Sequence, residues 1–266
     1  MQKHKIIEEG SPEYQLLECC RSGSLEEVRT LLDAGAAADA VLPDFDRGAG
    51  TVAGYSIAHM AAENPDIRII ELLVERGADV NVMDFYDNPP LYYAAEKNTL
   101  EMVRYLVSLG NDPLWENIDG DNPLTVSACN PHKDVLEYFF LLGVDIDGVS
   151  DIIPLGKAMR YGTPEDIDFF LTHGADREYA LDYAYCCAPL ENIRYLLKKG
   201  CNVNACFDMY GERHDWTKLP EGPLRQLFLE YGAKSDEELG RGGPRFTVCG
   251  RSSETASTDA ISINAC

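Results

Sequence analysis

The chain has 266 residues, with 45 acidic against 23 basic side chains and a formal net charge of −22. A surface of that sign repels nucleic acid and anionic membrane and speeds encounter with basic partners. The apolar fraction of 45% is that of a folded soluble protein, and no run of 18 apolar residues offers a membrane span.

Residues 1–11 read as a lead-in, and Met1 to Glu9 hold two lysines with no apolar stretch behind them, so no secretory signal is expected. Ser11 is a plausible N-cap with Pro12 at the first helical position. A helix is expected over Tyr14–Arg21. A second starts at Ser24, where Ser24 and Glu27 have capping-box spacing and Leu25, Val28, Leu31 and Leu32 make one apolar stripe. The stretch from about Val41 to Gly54, with Pro43, Phe45 and three glycines, reads as an inserted loop. Phe45, between Asp44 and Asp46, is either a contact residue or a plug folded onto the first helices.

Further helix pairs follow with stripes at Ile67, Ile70, Leu73 and Val74, at Leu100, Val103, Leu106 and Val107 (capped by Thr99), and at Val135, Leu136, Phe139 and Phe140. Thr163-Pro164-Glu165-Asp166 starts another helix with Ile167, Phe170 and Leu171; Leu190, Ile193, Leu196 and Leu197 mark the next, and Leu224, Leu227 and Phe228 the last. Glu212–Gly222 is too polar and proline-broken for a standard helix and reads as part of a degenerate C-terminal cap. Residues 235–266 turn to Gly, Ser, Thr and Asn without periodicity, a composition expected to stay disordered.

One phrase recurs through these elements. Glu71-Leu72-Leu73-Val74-Glu75-Arg76-Gly77-Ala78-Asp79-Val80-Asn81 ends a helix at a glycine and passes into an extended segment. Similar stops fall at Gly35, Gly110, Gly143, Gly174, Gly200 and Gly232, with successive spacings of 42, 33, 33, 31, 26 and 32 residues. Upstream stand Ser56-Ile57-Ala58-His59-Met60-Ala61-Ala62, Pro89-Pro90-Leu91-Tyr92-Tyr93-Ala94-Ala95 and Asn122-Pro123-Leu124-Thr125-Val126-Ser127-Ala128. This pattern resembles the ankyrin repeat family over roughly residues 12–234, and compact acidic ankyrin proteins of bacterial type look similar. The resemblance implies an all-α solenoid of about six to seven helix-turn-helix units with short β-hairpin-like fingers. The 26-residue spacing after Gly174 leaves almost no finger between units five and six.

No nucleophile elbow, metalloprotease helix, dinucleotide fingerprint or phosphate loop occurs, so no catalytic residue, cofactor or metal is expected. Asp145-Ile146-Asp147-Gly148 and Asp119-Gly120-Asp121 lack the remaining ligands of a calcium loop and suit turns. The nine cysteines, without a Cys-x-x-Cys pair, read as small buried apolar groups in a reducing compartment, taken as the cytoplasm. In the family the histidine at the His59 position bonds between repeats.

Laid over this chain, the family's binding positions are finger tips and the exposed side of the first helices. They would be Met83, Asp84, Phe85, Tyr86 and Asp87; Trp115, Glu116, Ile118 and Asp119; Asp145, Asp147 and Asp151; and Tyr92, Tyr93 and Glu96. Aromatics interleaved with carboxylates suit a basic protein partner. Alternatively, Phe85, Tyr92 and Trp115 pack finger against finger. The expected function is a non-catalytic, monomeric binder of one basic protein, working as inhibitor or immunity protein. The alternative is an adaptor or scaffold that recruits a second factor through its C-terminal tail.

Overall fold

A computed structural model describes residues 4–42, 54–97, 99–130, 132–147, 153–206 and 214–240. Asp151, the centre of the inserted loop (43–53), residues 207–213 and the tail from 241 lie outside the described residues.

The helices form hairpin pairs: α1 (Pro12–Ser22) with α2 (Leu25–Asp33), α3 (Ile57–Glu63) with α4 (Ile67–Glu75), and α5 (Pro90–Lys97) with α6 (Leu100–Ser108). Next come α7 (Pro123–Val126), extended by a 3₁₀ turn over Ser127–Cys129, with α8 (Lys133–Leu141), then α9 (Pro154–Tyr161) with α10 (Pro164–Thr172). The last are α11 (Arg177–Ala184) with α12 (Leu190–Lys198), and α13 (Pro223–Glu230), preceded among the described residues by a 3₁₀ turn over Trp216–Lys218. First helices stack side by side from α1 to α11, giving the expected all-α solenoid of repeated helix pairs.

Local chemistry sets the ends of these helices. Ser11 caps α1 by accepting from the Tyr14 amide, and Ser24, Ser56, Asn122 and Thr163 head full capping boxes. Thr99 occupies the cap position of α6 without making the capping bond. All seven stop glycines adopt left-handed backbone, φ between +82° and +98°, where a Cβ would be strained. Seven residues before six of them stand Val28, Ile70, Val103, Leu136, Ile167 and Ile193, all at most 1% exposed, so the core runs as one row through the stack.

Side chains also tie each unit to the one before. Asn64 Nδ2 donates to the Cys20 carbonyl (3.0 Å) and Asn130 Nδ2, at an equivalent place two units on, to that of Ala95 (2.8 Å). After Gly174 the finger is missing: Asp176 directly caps α11, accepting from the amides of Glu178 and Tyr179. Elsewhere fingers are hydrogen-bonded turns, and the described residues contain isolated bridges (Ile6 to Val41, Val41 to Ser56) and no strand.

Two segments are better anchored than composition suggests. Ile7 is buried beside α1, and its amide donates to the Val41 carbonyl (2.8 Å) while the Lys5 ammonium bonds the buried Glu13 carboxylate (2.7 Å). At the other end Trp216, on the 3₁₀ turn before α13, is 1% exposed. Its Nε1 donates to the Val203 carbonyl (2.6 Å), and its ring lies 4.4 Å from His214, 4.5 Å from Phe228 and 5.0 Å from Tyr185. The chain then continues past Lys234 in turns, with Ser235 and Glu238 capping each other.

Candidate functional site

Two adjacent fingers share one internal design. In the first, the Asp84 amide donates to the Asn88 carbonyl (3.0 Å), and the Asp84 carboxylate gathers the amides of Tyr86 (2.8 Å) and Asn88 (2.9 Å). In the second, Asn117 does the same with Asp121: its amide donates to that carbonyl (2.8 Å), and its Oδ1 accepts from the amides of Asp119 (2.9 Å) and Asp121 (2.8 Å). Asp87 takes a left-handed φ of +60° where the next finger has Gly120 at +79°. Asp and Asn serve here because a short side-chain oxygen can stand in for a backbone carbonyl.

The fingers are then joined. The Ile118 amide donates to the Tyr86 carbonyl (3.0 Å), Trp115 Nε1 to the Asp87 carbonyl (2.8 Å), and Asn117 Nδ2 to Asn88 Oδ1 (2.8 Å). On this joined ledge Tyr86 and Ile118 are each 54% exposed, Trp115 42% and Leu114 37%. Asp87, Asp112, Glu116 and Asp119 are their neighbours in sequence, the last three exposed and Asp87 half-buried. The Trp115 N–H thus locks finger to finger while its ring stays partly exposed.

Other anticipated contact residues are used inside the protein. Asp84 is only 2% exposed, and its carboxylate also accepts from Asn88 Nδ2 (3.1 Å) and from the Tyr93 hydroxyl. It holds the finger together and offers no rim charge, which corrects its placement among the contacts. Asp147 Oδ1 accepts from the Asp176 amide (2.9 Å), tying the next finger to the turn before α11. Asp145 is exposed and Met83 and Phe85 are half-buried.

Tyr92 and Tyr93, both anticipated, belong to an aromatic row that the sequence did not extend to Tyr55 and His59: Tyr55 lies 5.1 Å from both His59 and Tyr93, and Tyr93 is 5.6 Å from Tyr92. The Tyr55 hydroxyl bonds Glu63, and exposed Glu96 lies 3.4 Å from the Lys97 ammonium. Burial pushes the Tyr92 phenol above its ordinary range, and the carboxylates of Asp121, Glu96, Asp84 and Asp119 push it further, so the surroundings of this ring are negative. Toward α9 the character changes, because Lys157 pairs with Asp121 (2.7 Å) and the Arg160 guanidinium lies over the Tyr161 ring at 4.8 Å. Asp121 stands 33 residues after Asn88, a periodicity that could have flagged it; nothing in the sequence paired it with Lys157.

His59 is fully buried. Its Nδ1 accepts from the Ser56 amide (3.0 Å), and its Nε2–H donates across units to the Asn88 carbonyl (3.0 Å). Burial lowers its pKa to about 4. The unfolded chain therefore takes up the proton first, near the ordinary value of about 6.5. Stability from neutral His59 is complete above that value and is lost as pH falls toward 4. In urea unfolding across this window, a His59→Gln variant should show a shallower fall in stability than the parent; equal slopes would show that His59 does not set it.

Among the described residues no helix is long and apolar enough to cross a membrane, and no group of three metal-ligating side chains gathers.

Comparison with known proteins follows the same lines. The profile described as "Ankyrin repeats (3 copies)" matches residues 58–150, which contain both joined fingers. The chain is 30% identical to Ankyrin repeat protein nuc-2 of Neurospora crassa over 82% of its own length, though it spans only 21% of that relative. It is 31% identical to Protein phosphatase 1 regulatory subunit 27 of Mus musculus, over 46% of this chain and 74% of that one. The human ASB11 ankyrin repeat domain superposes with a TM-score of 0.60 at 21% identity, covering 82% of this chain and 98% of that domain.

Proposed function

Given that the chain belongs to the ankyrin repeat family, whose repeats mediate protein–protein interaction, we propose that it is a non-catalytic binder of one basic protein. The observation that carries this reading is the ledge of Tyr86, Leu114, Trp115 and Ile118, four large apolar side chains partly exposed on two hydrogen-bonded fingers, with Asp87, Asp112, Glu116 and Asp119 beside them in sequence. A contiguous apolar patch with a polar rim is what an interface core looks like before its partner arrives. Because the fingers are bonded to one another, little backbone ordering is needed on binding. The negative surroundings of Tyr92 continue the same charge preference onto the neighbouring first helix. The mouse relative's name, a regulatory subunit of a phosphatase, is in keeping with action by binding, as inhibitor or regulator. In this reading the protein works as a monomer in the cytoplasm.

The partner, captured from the native cell, gives the test by surface plasmon resonance. Replacing Asp87, Glu116 and Asp119 by asparagine or glutamine should mainly slow association and flatten its salt dependence, because rim charges act through steering. Trp115→Ala or Tyr86→Ala should mainly speed dissociation, costing on the order of 2 kcal/mol. Wild-type kinetics in every variant, each folded by circular dichroism, would remove the ledge from the interface.

A further inference from the structure

At the N-terminal end of the stack, a cleft of about 540 Å³ opens between α1 and α2. Tyr14, Cys19 and Leu31 supply its apolar part, and Glu18, Glu26 and Glu27 its acidic part. The repeat register explains it. Counting 42 residues on, Gln15, Cys19, Glu27 and Leu31 correspond to Ile57, Ala61, Ile69 and Leu73, each 0% exposed in the second unit because the first unit covers them. In the first unit Gln15 and Glu27 are exposed and Cys19 and Leu31 half-buried. The cleft is therefore an inter-repeat surface that no other unit covers among the described residues, shaped to receive a helix. Its wall has also changed: Ile69 is replaced by Glu27, and neither it nor Glu18 nor Glu26 pairs with a lysine or arginine among the described residues. Glu27 is spent in part on capping α2, where it accepts from the Ser24 amide (2.8 Å).

We propose that this cleft docks an amphipathic helix of a protein partner, with an apolar stripe against Leu31 and Cys19 and lysines or arginines along its edges. The shape comes from the register and the charge from the three carboxylates. A second copy presenting the same end would bring like charges together and is disfavoured. The cleft lies on the first unit, apart from the finger ledge on the second to fourth, so it stands independently of the function proposed above.

The probe is a labelled synthetic helix of about 14 leucines and lysines with the leucines at helical spacing, compared with an isomer of equal composition lacking that spacing. Fluorescence anisotropy on the full chain should show the amphipathic peptide binding at least about tenfold tighter, a difference lost in Thr30→Trp, which fills the cleft, and in Leu31→Asp. Thr30→Trp removes no packing and guards against misfolding of the second variant. Trp115→Ala should leave binding unchanged. Bound peptide should slow alkylation of Cys19 while exposed Cys186 reacts as before. Equal affinity for both peptides, binding that survives Thr30→Trp, or an unprotected Cys19 would each overturn the proposal. Self-association abolished by Thr30→Trp would overturn it too, by assigning the cleft to a second copy.

Discussion

Replacing Trp216 by alanine should cost about 3–5 kcal/mol, because it empties the space of the largest fully buried side chain in the described protein. The indole also carries a hydrogen bond to Val203 and ring contacts to His214, Tyr185 and Phe228, which join α13 to the sixth unit. In a stack stabilised by nearest neighbours, the damage should stay local. Amide exchange should accelerate over residues 190–240, while the fingers between residues 81 and 122 keep their protection. The chain's other tryptophan, Trp115, is well exposed and remains as a fluorescent reporter of the ledge in the same experiment. Trp216→Phe should recover part of the loss by refilling the space without the Nε1 donor. A loss below about 1 kcal/mol in the alanine variant would mean that the last unit is not held by this residue.

Asp84→Ala is the second large effect expected. It removes one acceptor from four donors: the amides of Tyr86 and Asn88, Asn88 Nδ2 and the Tyr93 hydroxyl. A buried donor left without a partner costs about 1–3 kcal/mol, and these four share one site, so a total near 3 kcal/mol is expected. Asp84→Asn should cost less, since an amide oxygen can still collect the two backbone amides. Exposed Asp119 makes the contrast: Asp119→Asn should change stability by less than about 0.5 kcal/mol. Urea midpoints of the three variants check this ordering, and an Asp84→Ala variant as stable as Asp119→Asn would refute the assignment of Asp84 to the interior.

That contrast also marks what the sequence could say. Helix stops, the Ser24 capping box and the core row were legible, since each follows from residues a few positions apart in a repeated frame. The shortened joint after Gly174 was legible from a spacing alone. The fate of the finger carboxylates was not. Asp84 and Asp87 are the same residue type three positions apart; only the turn geometry aims two amides at one and leaves the other at the rim. Trp216 escaped for a related reason, because its burial comes from His214, Tyr185 and Phe228 and not from a periodic stripe. Thr99 has a good capping sequence yet makes no capping bond, so residue type alone did not decide even that local contact.

The joint at Asp176 acts as a ruler. With packed layers about 8–10 Å apart, the three successive fingers before it, around residues 84, 117 and 145, are separated by two intervals and span roughly 16–20 Å. An extended peptide advances about 3.3 Å per residue, so in the proposed interface about five to six residues of an extended ligand would lie along these fingers. Lengthening a ligand beyond that point should add little affinity, which makes the minimal epitope a short one.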